Sequence, residues 1–75
     1  QQLHAMLHKN LYVTVESGTV QVTLDIVPDE DDPYALLAAR DDAGTQLAQI
    51  RVAATFKLNP ASATAWIEGG FRKLG

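Results

Sequence analysis

Residues 11–27 alternate between apolar and polar side chains on both sides of a short turn, and this pattern constrains the fold most. The turn is Ser17-Gly18-Thr19, and the apolar members are Leu11, Val13, Val15, Val20, Val22, Leu24 and Ile26. Successive side chains of a strand point to opposite faces, so a period of two indicates strands with one buried face. We therefore predict a β-hairpin whose apolar face must be covered by another element.

A second alternating run, from Ala48 to Leu58, predicts a long strand. The residues before it are ambiguous. Asp32-Pro33 followed by alanine and leucine is typical of a helix start, whereas Asp41-Asp42-Ala43-Gly44 is typical of a turn between strands. Because a long strand needs a partner, we predict a second hairpin in which residues 34–40 are extended. A helix over residues 33–40 would instead give a ββαβα order.

Helices are predicted at both ends of the chain. Residues 1–9 carry Leu3, Met6 and Leu7 at helical spacing. Near the other end, Asn59 can cap a helix whose first residue is Pro60. Gly69-Gly70 weakens that helix by about 1 kcal/mol per glycine relative to alanine, so a break there is considered. The apolar face of the C-terminal helix would consist of Ala63, Trp66, Ile67, Gly70, Phe71 and Leu74.

These elements together predict one small α+β domain over residues 1–75. The domain would contain a small four-stranded antiparallel sheet made of two β-hairpins, a short N-terminal helix, and a C-terminal helix packed on one sheet face. A small half-open barrel of the SH3 or Sm kind is the alternative, because such folds also connect short antiparallel strands. Since the chain begins at Gln1 rather than methionine, a fragment of a longer chain is also considered.

Composition narrows the class of function. The net charge is −3 and the pI is near 5.0, which argues against a general nucleic-acid binder, because such proteins carry basic patches. The chain has no cysteine, so disulfides and thiolate metal sites are excluded and a cytoplasmic location is expected. No apolar run approaches the roughly 20 residues of a membrane-spanning helix, so no membrane partner is expected.

Catalytic and metal chemistry find little support in the sequence. His4 and His8 have the spacing of two metal ligands on a helix, but no further histidine or cysteine could complete a zinc site. The acids of PDEDDP are adjacent and lack the central glycine of a calcium loop. Nothing places a serine beside a histidine, and IEGGF lacks the lysine of a phosphate-binding loop. We therefore expect no enzyme, no catalytic residue, no metal and no cofactor.

The leading prediction is a non-catalytic protein–protein interaction or regulatory module that associates with itself as a homodimer. Trp66 and Phe71 are candidate apolar contacts, although burial in the core is the first expectation for Trp66. A two-fold dimer through the last helix or an edge strand would complete the thin core of so small a domain. The candidate steering surface is the acidic loop Asp29, Glu30, Asp31 and Asp32.

A nucleic-acid-binding module is the second prediction. The polar face of the sheet would carry Tyr12, Arg51 and Lys57, whose side chains can stack on bases or contact phosphates. Glu16 and Asp25 are predicted on the same face, where they would repel a phosphate backbone. Polar side chains are also routine on the solvated face of an antiparallel sheet, so this prediction ranks below protein binding.

Overall fold

A computed structural model describes residues 8–29 and 31–72, and it shows a four-stranded antiparallel sheet followed by one helix. The strands pair in chain order, β1-β2-β3-β4. In the part of the chain that is described, β1 does not pair with β4, so the sheet is open and the barrel alternative does not apply. The elements are β1, His8–Val15; β2, Gly18–Val27; β3, Tyr34–Arg40; β4, Gln46–Ala53; and α1, Pro60–Glu68.

The prediction of a short N-terminal helix over residues 1–9 is wrong for residues 8 and 9. His8 and Lys9 belong to β1, where they pair with Asp25 and Leu24 of β2. Strand β2 is ten residues long and continues past Val22, the partner of Leu11, so it offers pairing positions to the residues that precede Leu11. Residues 1–7, which hold the rest of that prediction, lie outside the described residues, as does Glu30.

The register of the sheet places the alternating apolar residues of neighbouring strands opposite one another. Leu11 pairs with Val22, Leu24 with Leu37, and Ala35 with Val52, so residues of this set share one face. We call it the inner face. The opposite, outer face carries rows such as Asn10, Thr23, Ala38 and Gln49. The first hairpin is thus confirmed, with its apolar side facing the core. Its turn is Glu16-Ser17 rather than the predicted Ser17-Gly18-Thr19, because Gly18 and Thr19 already pair with Val15 and Thr14.

Residues 34–40 form strand β3, so the second hairpin is confirmed and the ββαβα alternative is wrong. Leu37 pairs with Leu24 on one side and with Ile50 on the other. A central strand has neighbours on both sides, and Ala35, Leu37 and Ala39 are accordingly buried. Alanine and leucine suit a helix as well as a buried strand, which explains why this segment was ambiguous in the sequence.

The turn between β3 and β4 is built around Asp41. The backbone N–H of Gly44 donates to the Asp41 carbonyl, and the Asp41 N–H donates to the Thr45 carbonyl, both at 3.0 Å. The Asp41 carboxylate accepts from the N–H groups of Ala43 and Thr45, both at 2.9 Å. Gly44 has φ +86°, a left-handed conformation that glycine adopts without strain. The DDAG sequence therefore closes the hairpin by itself.

Strand β4 is shorter than its alternation predicted. It ends at Ala53, which pairs with Tyr34, the first residue of β3. Pro33 stands before Tyr34 and has no N–H to extend the ladder. Beyond Ala53 the chain turns, and the Phe56 N–H donates to the Ala53 carbonyl at 2.9 Å. Phe56 and Leu58 still contact the core, so the apolar period continues through a segment that is not a strand.

Helix α1 begins as predicted. Asn59 is the N-cap, its side chain accepts from the Ser62 N–H at 2.9 Å, and Ser62 Oγ accepts from the Asn59 N–H at 3.0 Å. This reciprocal pair is a capping box, with Pro60 in the first turn. Ala63 and Trp66 are the buried residues of α1, and they join the inner face in one apolar cluster. The helix therefore packs on the inner face of the sheet.

Helix α1 ends at Glu68, so Gly70 and Phe71 are not part of it, although the predicted apolar face included them. Gly70 has φ +80°, and its N–H donates to the Ile67 carbonyl at 3.1 Å. The Phe71 N–H donates to the Trp66 carbonyl at 3.0 Å. These two bonds make a Schellman motif, in which a left-handed glycine terminates the helix.

Candidate functional site

The outer edge of β4 is the clearest candidate for a docking surface. In the described residues β3 is the only strand beside β4, so one side of β4 has no strand partner. The strand holds eight residues, with one charge, Arg51, and no proline. An edge strand of this kind presents unpaired N–H and C=O groups to any extended chain that approaches.

The apolar side chains along this edge are incompletely covered. Ile50 and Ala48 point to the inner face and pack against the core, yet both remain partly exposed. Leu47 is 43% exposed and lies where the register shifts between Ala39 and Arg40, which makes it the extra residue of a β-bulge. The bulge sits at the start of β4, so the rest of the edge is left regular.

The other edge, β1, is protected in two ways. Lys9 occupies an inner-face position opposite Leu24, and an inward-pointing lysine on an edge strand opposes pairing with another chain. Helix α1 also lies against β1, and a groove between them is lined by Thr14, Val15, Glu16, Ser17, Ile67 and Glu68. In the described part of the chain strand β4 has neither device, and its one irregularity is the bulge at Leu47, at the start of the strand. The two edges of one sheet are therefore unequal, and β4 is the open one.

A shallow cleft of about 640 Å³ runs along the loop end of β4. The Arg51 guanidinium lies 3.8 Å from the centre of the Tyr34 ring, a cation–π contact on the outer face. This contact holds Arg51 on the outer face of the sheet, where its side chain remains exposed. The cleft is lined by Asp32, Pro33, Tyr34, Ile50, Arg51, Val52 and Ala53.

The two aromatic candidates form part of the core and the helix end. Trp66 is 1% exposed, so its ring is a core residue, the first expectation, and offers no surface to a partner in this fold. Phe71 is half-buried and stacks edge-on against Trp66, with ring centroids 5.1 Å apart at 84°. A hydrophobic contact between these two positions accompanies a Schellman motif, which accounts for Phe71 structurally.

The acidic loop is exposed where it is described. Asp29, Asp31 and Asp32 are all exposed, and the Asp29 carboxylate accepts from the Asp31 N–H at 3.2 Å. Asp32 also borders the β4 cleft. The loop thus lies next to the open edge, where its charge can influence the approach of a partner.

The three residues predicted for nucleic-acid binding do not converge. Tyr12 is 67% exposed on the outer face of β1, whereas Arg51 lies on β4, at the opposite edge of the sheet, stacked on Tyr34. Lys57 follows the end of β4 and lines an inner-side groove with Lys9 and Leu24, so its predicted place on the polar sheet face is wrong. The reason is the early end of β4, which takes Lys57 out of the alternation.

Neither a metal-ligand cluster in the described residues nor a similarity to a known protein identifies a functional site. No group of three or more metal-ligating side chains occurs among the described residues, and no helix found there is long and apolar enough to cross a membrane. No protein-family model, curated protein or solved structure matches this chain. Function is therefore inferred from the geometry of the described residues alone.

The sequence reasoning missed Ile50, Leu47 and Tyr34 as site residues. It named an edge strand as one route to a dimer but did not choose which edge. A signal was present, because the last strand of a meander must be an edge, and QLAQIRVA carries one charge and no proline. What the sequence lacked was the position of α1, which shields β1 and leaves β4 open.

Proposed function

We propose that this chain is a non-catalytic protein–protein interaction or regulatory module, and that it binds a polypeptide by strand addition along β4, a second copy of itself included. The observation that carries the proposal is the unequal protection of the two sheet edges. Strand addition obtains its affinity from main-chain hydrogen bonds and its specificity from alternate side chains. Along β4 those side chains are Ala48, Ile50 and Val52 on the inner face.

The acidic loop has a secondary role in this proposal. Asp29, Asp31 and Asp32 are exposed beside the β4 cleft, so they would favour a partner whose approaching end is neutral or basic. Their contribution would be mainly to the association rate, because exposed charges interact weakly with a bound partner in water. The cytoplasmic location stays a prediction from composition.

The test is a capture experiment that compares two matched variants. Ile50→Lys places a charge at the centre of the open edge, whereas Leu11→Lys places the same charge on the protected edge. Both wild-type residues are half-buried, point to the inner face and belong to edge strands. We expect polypeptides retained by the wild type to be lost with Ile50→Lys and kept with Leu11→Lys.

Circular dichroism must show that both variants fold, since a lysine on the inner face also lowers stability. Material bound equally by both folded variants would contradict docking at β4. Absorbance of the bound fraction at 260 nm, followed over rising salt, would detect nucleic acid, whose release should be steeply salt-dependent. Nucleic acid as the retained material would favour the second prediction instead.

A further inference from the structure

The residues along β4 are arranged so that the strand complements itself. In an antiparallel pair of identical strands centred on one residue, side chains of the same face meet directly. With Ile50 at the centre, Ile50 faces Ile50 of the second copy and Ala48 faces Val52. On the outer face, Gln49 then faces Arg51, and Leu47 at the bulge faces Ala53.

Other registers match poorly. Centring the pair on Arg51 would bring two arginines directly opposite each other, and like charges at that position are destabilising. Centring it on Gln49 would set Leu47 against Arg51 and Gln46 against Val52, which pairs apolar with polar side chains. The Ile50 register alone of these three matches apolar with apolar and polar with polar. It leaves the two arginines on a diagonal, about 7–8 Å apart.

The rest of the molecule permits this arrangement. Helix α1 lies against β1, three strands away from β4, so the helices of two copies on the joined sheet do not meet. The two-fold also sets the acidic loop of one copy near the β3–β4 turn of the other, rather than near its acidic loop. From β3, where the acidic loop ends, to β4 of the other copy, where its turn ends, is two strand spacings or roughly 10 Å. The turn carries Asp41 and Asp42, so a modest repulsion with the acidic loop remains, partly screened over a Debye length of about 8 Å.

We propose that β4 pairs with β4 of a second copy. The two strands run antiparallel about a two-fold axis at Ile50 and make one continuous eight-stranded sheet. This inference rests on the proposed function and names its partner. The inner faces of the two copies become one surface, with Ala48, Ile50 and Val52 of each closing the gap at the centre. The interface is small, so the dissociation constant should be on the order of 10–100 µM.

The decisive experiment is sedimentation equilibrium of the whole chain from about 10 µM to 1 mM, a range that spans the expected dissociation constant. The test variants are Gln49→Glu and Gln49→Lys, because Gln49 is exposed and neither change disturbs the core. Because the dimer is two-fold symmetric, each substitution changes two contacts, one between residue 49 of each copy and Arg51 of the other. We expect Gln49→Glu to tighten the dimer about tenfold and Gln49→Lys to weaken it by a similar factor.

Hydrogen exchange supplies a second readout that identifies the edge. The β4 amides that do not bond to β3 should become more protected as the dimer fraction rises with protein concentration, while β1 amides should not change. Ile50→Lys should be monomeric, and Leu11→Lys should dimerise like the wild type. If Gln49→Glu and Gln49→Lys have equal dimer affinity, or if protection grows at β1, the register or the edge is wrong.

The two proposals fail differently. A wild-type chain that stays monomeric at about 1 mM overturns self-pairing, whose expected dissociation constant is far lower. In that case, loss of another polypeptide from the Ile50→Lys capture would still support docking at β4. If neither self-association nor capture depends on Ile50, both the partner and the site are wrong.

Discussion

Trp66 shows how one residue can stabilise the fold in two ways. Its ring fills the core between α1 and the sheet, while its carbonyl accepts the N–H of Phe71 that closes the helix end. Its buried indole N–H finds no acceptor in the described part of the chain. An unsatisfied buried donor costs about 1–3 kcal/mol, so the ring's apolar contacts must exceed that penalty.

Substitutions of Trp66 should separate the stabilisation by its apolar contacts from the cost of its unsatisfied indole N–H. Trp66→Ala removes a fully buried ring and should lower the free energy of unfolding by about 3–5 kcal/mol, enough to unfold so small a domain. Trp66→Phe keeps an aromatic ring and removes the unsatisfied donor, so we expect a loss of at most about 1 kcal/mol. Chemical denaturation monitored by far-ultraviolet circular dichroism measures both. A Phe variant as unstable as the Ala variant would mean that the indole nitrogen has a partner.

Gly70 permits a test of backbone conformation without a steric complication. Its φ is +80°, and a Cβ built there meets no atom within 4 Å. Gly70→Ala should therefore lower the free energy of unfolding by about 1–2 kcal/mol through left-handed strain alone. Gly70→Asn should cost less, because asparagine tolerates this conformation. Thermal unfolding of the two variants gives the comparison, and equal losses would argue against the Schellman ending.

At the scale of elements, the β3–β4 hairpin is specified by its turn. The Asp41 side chain and backbone together organise the residues up to Thr45 through four hydrogen bonds. That network joins residues within five positions of one another, so it depends on local sequence. It explains why a segment with helical composition becomes a strand: the turn returns the chain antiparallel and gives residues 34–40 a partner in β4.

Asp41→Ala should weaken this hairpin. It removes an acceptor for two backbone N–H groups and should cost about 1–2 kcal/mol of unfolding free energy. The neighbouring Asp42 is exposed and makes no side-chain hydrogen bond among the described residues, so Asp42→Ala should stay within about 0.5 kcal/mol of the wild type. Urea titration compares the pair. Equal effects would show that net charge, rather than the Asp41 contacts, stabilises the turn.

At the scale of the whole molecule, the positive charges of the described residues are dispersed rather than gathered. Lys9 and Lys57 border an inner-side groove, Arg51 is stacked on Tyr34, and the acidic loop is exposed beside the β4 cleft. A groove that tracks a nucleic-acid backbone needs several cations along one path. The described surface contains no such path, which is why we rank strand addition above nucleic-acid binding.

A direct binding measurement checks that ranking. We expect no saturable binding of a fluorescent single-stranded oligonucleotide of roughly 20 nucleotides at about 0.15 M salt, because dispersed cations release few counterions. Fluorescence anisotropy is the readout. Binding that falls steeply with salt and is lost in Arg51→Glu would restore the nucleic-acid prediction and place its contacts near Tyr34.

Local features of the fold were predictable from particular residues. Asn59-Pro60 predicted the start of α1. Alternation of apolar and polar residues on both sides of Gly18 and of Gly44 predicted the two hairpins. The end of β4 was not predictable in the same way. Phe56 and Leu58 keep the period of two because they face the core from a loop, and periodicity reports burial rather than strand pairing.

The sequence by itself determined the first hairpin, the turn before β4, the alternating inner face and the cap of the last helix, because these depend on contacts between residues close in the chain. Only the tertiary structure decided which edge is open and whether Trp66 is core or surface. Both follow from where α1 rests, against β1 with Trp66 beneath it. That placement depends on residues distant in sequence meeting in space, and no local pattern encodes it.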